Sequence, residues 1–116
     1  MYSPMTEYLR QVATKLATTG IPVKFKLPDD SVMEPFYVIG PHSGNDSFSA
    51  KFGHAIVDIS LQIDLYYSTD SRTQLEEAIF QTKVALNKRI DHQVLIDNSI
   101  GREVYHVVFR ISDYIY

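Results

Sequence analysis

The stretch HAIVDISLQIDLYYS, residues 54–68, decides the fold. Every second residue from Ala55 to Leu65 is apolar, whereas the alternate positions are mixed and include Asp58, Gln62 and Asp64. This two-residue period predicts a β-strand with one buried face. Most strands have about five or six residues. At about 3.3 Å per residue this one would reach on the order of 45 Å, so it must bend, bulge or project beyond the core.

The residues after this strand predict the main helix. Ser71 and Gln74 have the spacing of a capping box. A buried stripe is expected at Leu75, Ala78, Ile79, Thr82 and Leu86, with Phe80 and Val84 widening the apolar face. A first helix is predicted over about residues 4–18, since Ser3 suits its N-cap, Pro4 its first position and Gly20 its C-terminal cap.

Four further segments predict strands. IPVKFKL, residues 21–27, alternates apolar and polar positions, and its Pro22 and lysines suit a sheet edge. EPFYVIG, residues 34–40, predicts a short strand. The chain end predicts a hairpin, in which NSIG at 98–101 joins HQVLID to REVYHVVFRISDYIY. The order α-β-β-β-α-β-β implies an α+β fold, a mostly antiparallel sheet with two helices packed on one face.

Composition limits the classes of protein that the chain can represent. Its 116 residues predict a single domain spanning 1–116. The formal net charge of -3 argues against a protein that grips nucleic acid through its overall charge. Cysteine is absent, which excludes disulfides, thiol nucleophiles and cysteine metal sites. The N-terminus resembles no signal peptide and no apolar run approaches a membrane span, so we expect a soluble protein made in the cytoplasm.

Residues 40–53, GPHSGNDSFSAKFG, predict a long loop or β-arm. The segment is rich in Gly, Ser, Asn and Asp. Loops of this length in small domains are usually functional or disordered. Phe48 and Phe52 are unusual in a purely solvated loop, so we expect this segment to contact a partner, with His42, Phe48, Lys51 and Phe52 as the candidate residues.

No catalytic or metal-binding pattern emerges from the sequence. The four histidines lack metal-ligand spacing, although His92 and His106 could face each other across the last hairpin. Asp58 and Asp64 are about 20 Å apart along a straight strand, too far for a glycosidase-type carboxylate pair. Their face is either the solvated side of the sheet or the lining of a pore or subunit contact. We expect no cofactor, no metal and no enzymatic activity.

The layout resembles a family of phage proteins. The stretch SAKFGHAIVDISLQIDLYYSTDSRTQLEEAIFQTKVALNKR, residues 49–89, runs from a long strand through a Ser/Thr/Asp turn into an amphipathic helix. Together with the order of elements along most of the chain, it resembles the tail-terminator (tail-completion) proteins of long-tailed bacteriophages. This resemblance lies in the layout rather than in fixed residues.

The resemblance implies a structural role in the virion. Such proteins form a ring, typically a hexamer, on the head-proximal end of the tail tube. The ring stops tube growth, joins the tail to the connector on the head and lets DNA pass through its lumen. The implied partners are other copies of the chain, the tail tube protein and the head–tail connector protein. Because carboxylates would repel passing phosphates, Asp58, Gln62 and Asp64 are expected at the lumen or a subunit boundary.

Two other interpretations stay open. A head-completion or connector-adaptor protein would also form a ring and would also lack catalysis. A small ligand-binding or enzymatic α+β domain belongs to another class, and it would use a pocket between sheet and helices, with His92 and His106 as candidate residues.

Overall fold

The computed structural model describes residues 3–29, 31–45 and 57–115. Two helices and five strands follow one another in the predicted order: α1 (Pro4–Ala17), β1 (Val23–Lys24), β2 (Phe36–Asn45), β3 (Val57–Tyr67), α2 (Arg72–Leu86), β4 (Ile90–Asp97) and β5 (Val104–Ile115). The strands form one sheet in the order β1-β2-β3-β5-β4. Three neighbouring pairs are antiparallel, and β1 runs parallel to β2, so the α+β prediction is confirmed with a mixed sheet.

Local signals place the helix ends close to their predicted positions. The backbone N–H of Thr6 donates to Ser3 Oγ, and Pro4 occupies the first position of α1. In the same way, the N–H of Gln74 donates to Ser71 Oγ at the start of α2. Each bond satisfies one N–H that the helix cannot pair internally. Gly20 follows α1 with a φ of 82°, in the left-handed region that glycine tolerates.

The main core lies between the sheet and the two helices. The apolar face of β3 is fully buried there beside residues of β2 and β5, and α1 and α2 cover it; the central members are Ile59, Leu61, Ile63, Leu65, Tyr37, Ile39, Val107, Phe109, Ile111, Leu16, Leu75, Ile79 and Leu86. Tyr37 lies among these residues, where its hydroxyl is 2.6 Å from Thr82 Oγ1 of α2. The two-residue period of β3 therefore gives the sheet its helix-covered face.

The length of the strands is accommodated by an elongated shape and a bulge. The Cα atoms extend over 51 × 26 × 22 Å, and their radius of gyration of 15.4 Å exceeds the roughly 13 Å expected of a compact chain of this length. β3 remains continuous against β5 over 11 residues. Its other neighbour, β2, shifts register between Ile39 and His42, where Pro41 has no N–H to donate to the ladder.

Three predictions need correction. The segment 21–27 forms a strand only at Val23–Lys24, because β2 pairs with it over two residues and the chain then bends away. The short strand predicted at 34–40 is longer, since β2 continues to Asn45. Residues 40–45, with His42, therefore take the β-arm form of the prediction, while residues 46–56 fall outside the described part of the chain. Phe80 and Val84 do not widen the buried face of α2, since they are 60% and 57% exposed on its outer side.

Candidate functional site

The face of the sheet opposite the helices is the candidate site, and we call it the open face. It is formed by the alternate residues of the long strands, including Asp58, Ser60, Gln62, Asp64 and Tyr66 of β3. Their register partners on β5 are Tyr114, Ser112, Arg110, Val108 and His106. Because side chains alternate across a strand, a β3 whose other face fills the core must present this mixed set on the open face.

A charged cluster ties three strands together on the open face. His106 Nε2 lies 2.8 Å from Asp64 Oδ1 on β3, and His106 Nδ1 lies 3.0 Å from Asp97 Oδ2 at the end of β4. We call these three residues the histidine clamp. Both partners are carboxylates, which accept hydrogen bonds when ionised, so the arrangement is best satisfied by a doubly protonated imidazolium that donates to each. Gln62 Nε2 also donates to Asp64, at 3.1 Å.

The two carboxylates favour the charged form of His106. The hydrogen bond that His106 donates to Asp64, followed by the charge of Asp64 and then by Asp97, raises the pKa of His106 against the opposing effect of burial. The pKa of Asp97 is lowered, mainly by hydrogen bonds from Ser99 and secondarily by His106. Asp64 is only 8% exposed, so its carboxylate is enclosed by partners from its own chain.

An aromatic stack continues from the clamp toward β2. The His106 and Tyr66 rings are 4.5 Å apart between centroids and nearly parallel, and Tyr66 stacks in turn on Phe36 at 5.1 Å. Burial raises the pKa of Tyr66 to about 12, with the charges of Asp64 and Asp97 adding to the effect. The tyrosine therefore stays neutral at physiological pH, and the stack serves as packing rather than as an acid or base.

One end of the open face is closed by a second apolar cluster. Its buried members are Phe36, Val38, Tyr66, Ile100 and Val104, and Val32 packs against them. Arg102 holds the covering segment in place, since its Nη2 lies 2.7 Å from Glu34 Oε2 and donates to the carbonyl of Val32. The hydrogen bond from Arg102 lowers the pKa of Glu34.

The rest of the open face is polar and shallow. Two depressions of about 230 and 170 Å³ adjoin Arg110. The first is lined by Pro41, His42, Ser43, Ser60, Gln62 and Arg110, and the second by Asp91, His92, Gln93, Val108 and Arg110. The first holds Ser43 and Ser60 together with His42, and all three are exposed to solvent. This polar region suits contact with solvent or with a passing surface more than enclosure of a small molecule.

The residues predicted for the lumen or a subunit boundary all lie on the open face, but they differ in how exposed their side chains are. Asp58 is partly exposed and pairs in register with Tyr114. Gln62 is partly exposed, whereas Asp64 is buried in the clamp. Neither aspartate lies against the helices. Of the residues predicted for partner contact, His42 is exposed in β2, and Phe48, Lys51 and Phe52 lie outside the described residues.

The suggested pairing of His92 with His106 is wrong. His92 is in register with Phe109 and His106 with Leu95, so the two histidines lie on opposite faces of the sheet. In the described ranges, no group of three or more His, Cys, Asp or Glu side chains is arranged to hold a metal ion. No helix in those ranges is long and apolar enough to cross a membrane.

The histidine clamp was not anticipated from the sequence. Its residues are 42 and 9 positions apart along the chain, and only the order of strands brings them together. A usable signal existed within the last hairpin, since a turn at 98–101 places Asp97 and His106 near each other. Asp64 carried no comparable signal, because the residue pattern of β3 does not show which strand lies next to β3 in the sheet.

No protein-family model matches the sequence, and no curated protein matches it significantly. The fold and the open face are therefore the basis on which a function can be proposed.

Proposed function

We propose that the chain is a structural protein of the phage tail-terminator type, which assembles into a ring on the head-proximal end of a tail tube. The ring would end tube growth, provide the joint to the head and pass DNA through its lumen. Its partners would be further copies of the chain, the tube protein and the connector protein. The role is architectural, and no reaction or cofactor is part of the proposal.

The observation that supports the proposal is the asymmetry of the sheet. Within the described residues both helices cover one face, whereas much of the other face is polar and shallow and carries no helix. A sheet with one wet face is common in antiparallel folds. Here it is joined to strands of 11 and 12 residues and an overall extent of 51 Å, more than a core of this size needs. A ring subunit has a use for that extra surface, since neighbours must be contacted on both sides.

The charges of the open face are compatible with a DNA passage. Asp58 and Asp91 carry negative charge on its polar part, and Arg110 carries positive charge between them. The clamp adds two carboxylates around one imidazolium. A weakly acidic lining would repel phosphates and keep DNA moving rather than bound. In this proposal Asp58 and Gln62 face the lumen, while Asp64 acts indirectly by fixing β3 to β5.

The experiment that tests the proposal is a capping assay. Purified protein is mixed with tails that lack a terminator, made from the phage that encodes the chain, and the tails are viewed by negative-stain electron microscopy. We expect a cap on one tail end, tubes of uniform length and recovery of head joining. Uncapped tails with protein on the portal end of heads would instead indicate a connector component. Binding to neither would overturn the proposal and return a ligand-binding role to consideration.

The lumen assignment has its own test. The double variant Asp58→Lys/Ser60→Lys adds positive charge to the open face, whereas Glu77→Lys adds it to the exposed side of α2. Both sets of positions are solvent-accessible, so folding and capping should be retained. We expect slower DNA ejection only from particles with the open-face variant. Equal ejection rates for the two variants would place the open face away from the lumen.

A further inference from the structure

The outer edge of β4 differs from a protected sheet edge. Within the described residues β4 pairs only with β5, in a continuous register over eight residues, so the backbone groups on its other side face outward. Soluble proteins commonly protect such edges with Lys, Pro, bulges or very short strands. β4 contains neither Lys nor Pro, and its charged side chains are Asp91 and Asp97. The opposite edge has these features, since β1 has two residues after Pro22 and β2 has a bulge at Pro41.

The side chains of β4 strengthen this contrast. Ile96 is 65% exposed and Leu95 is 41% exposed, and as successive residues they lie on opposite faces of the sheet. Apolar side chains on both faces of an unpaired strand are what a strand-pairing surface requires, because the backbone supplies hydrogen bonds and the side chains supply packing on either side. An edge strand that contacts only water would not need apolar side chains on both of its faces.

We infer that β4 pairs with β4 of a second copy, antiparallel, about a two-fold axis that passes through Gln93. In this register Ile90 of each copy faces Ile96 of the other, and Arg89, the residue before β4, faces Asp97. Apolar and opposite-charge pairs directly across an antiparallel ladder are stabilising. The two-fold axis repeats each pair, so the contact includes two apolar and two charge pairs, and both helix layers stay on the same side of a ten-stranded sheet.

The alternative register centred on Val94 is less favourable. It would place Asp91 of each copy opposite Asp97 of the other, and like charges directly across a ladder are destabilising. In the register centred on Gln93, Asp91 faces Leu95. Asp97 already accepts hydrogen bonds from Ser99 and from His106, and a carboxylate has acceptor capacity for a further partner. The charges therefore favour the register centred on Gln93 over the register centred on Val94.

The inference concerns the free protein and does not rest on the proposed ring. An isologous contact uses the same patch on both copies and closes at two, so it cannot by itself produce a ring. The ring contact would be made elsewhere on the subunit.

Cysteine crosslinking tests the pairing directly, because the chain contains no cysteine. In the inferred register the two Gln93 residues are direct partners, at a separation of about 4.5–5.5 Å between Cα atoms that a disulfide can bridge. Under mild oxidation, Gln93→Cys should convert from the monomer to a covalent dimer on a non-reducing gel. Gln81→Cys on the exposed side of α2 is the matched control and should remain monomeric.

A second pair of variants tests the register and the edge. Leu95→Cys lies on the same face and edge, two residues from the axis, and should crosslink much less than Gln93→Cys. Ile96→Lys, added to Gln93→Cys, should reduce dimer formation, because a lysine replaces the apolar partner of Ile90. Crosslinking of Gln81→Cys to the same extent, preferential crosslinking of Leu95→Cys, or no crosslinking of Gln93→Cys at high protein concentration would each overturn the inference. Tail capping is scored separately, so either proposal can fail alone.

Discussion

His106 Nε2 lies 2.8 Å from Asp64 Oδ1, which joins β5 to β3 across the open face. The other ring nitrogen reaches Asp97 of β4, so a single histidine ring links β3, β4 and β5. Charge-assisted hydrogen bonds of this kind are stronger than neutral ones. In the described part of the chain no helix covers the polar part of the open face, so the clamp fixes the strands there, as packing against the helices does on the opposite face.

Stability should fall through His106 as the pH rises above the unfolded pKa of histidine, about 6.5. Its pKa is raised in the folded state, so its contribution is fully present below the unfolded value of about 6.5 and is lost as the pH rises through the folded pKa. His106→Gln should remove this decline with rising pH. Urea unfolding at a series of pH values measures it, and His92→Gln on the other face is the control that should keep the wild-type slope. An unchanged slope in His106→Gln would contradict the clamp.

The loss of stability at acidic pH, which we call the acid limb of the stability curve, should depend on Asp97. Its pKa is lowered in the folded state, so its contribution is present above the unfolded value of about 3.9 and is lost as the pH falls through the folded pKa. Asp97→Asn should therefore flatten the acid side of the stability curve. Because the Ser99 hydrogen bond is the largest cause of the shift, His106→Gln should retain most of this limb. Loss of the acid limb in His106→Gln would show that the imidazolium is the dominant partner instead.

Adjacent residues of α2 should respond very differently to truncation. Ile79 is 4% exposed and packs in the main core, whereas Phe80 is 60% exposed. Ile79→Ala should lower the free energy of unfolding by about 2–5 kcal/mol through lost burial and a residual cavity. Phe80→Ala should change it by no more than about 0.5 kcal/mol. Chemical denaturation of the two variants measures this contrast, and a large loss in Phe80→Ala would mean that this side of α2 is covered.

The buried Tyr37–Thr82 pair should show energetic coupling. Thr82 Oγ1 donates to the carbonyl of Ala78 at 2.7 Å, so the Tyr37 hydroxyl is the donor in the 2.6 Å contact with Thr82. Tyr37→Phe should cost about 1 kcal/mol, and Thr82→Val should cost more because it leaves the buried Tyr37 hydroxyl with only its 3.4 Å contact to Thr19 Oγ1. The double variant should cost less than the sum of the two changes. Strict additivity in urea unfolding would show that the contact contributes little.

Arg102 should contribute more to the free energy of unfolding than an exposed charged residue does. The Glu34 side chain is only 7% exposed, and Arg102 donates to it through Nε and Nη2 at 2.9 and 2.7 Å. Arg102→Met should cost roughly 3 kcal/mol by leaving a buried carboxylate without its main partner. Adding Glu34→Gln should recover part of that loss. Thermal or urea unfolding gives the comparison, and the matched surface pair Arg72–Glu76 should contribute less than about 1 kcal/mol when Arg72 is replaced by Met.

Much of the fold could be predicted because its signals are local. The alternation of β3, the serine N-caps and the turn at 98–101 each depend on residues within a few positions of one another, and the structure places them as expected. The errors arose where the residue pattern of a segment was correct, but the neighbouring strand decided how much of that segment formed secondary structure. Residues 21–27 alternate like a strand, yet only Val23–Lys24 find a partner along β2.

The candidate site was predicted only in part, for the same reason. Alternation alone placed Asp58, Gln62 and Asp64 on one face of one strand. It could not show that His106, 42 residues beyond Asp64, would enclose that carboxylate, or that Asp58 would remain accessible.

By itself, the sequence determined the type and order of the elements and which face of β3 is apolar, because side-chain periodicity and capping act within a single segment. Only the tertiary structure decided which strands became neighbours. The order β1-β2-β3-β5-β4 brings His106 between Asp64 and Asp97 and leaves β4 at an edge. Such pairings depend on the whole set of competing strand contacts, and no single stretch of the chain contains that information.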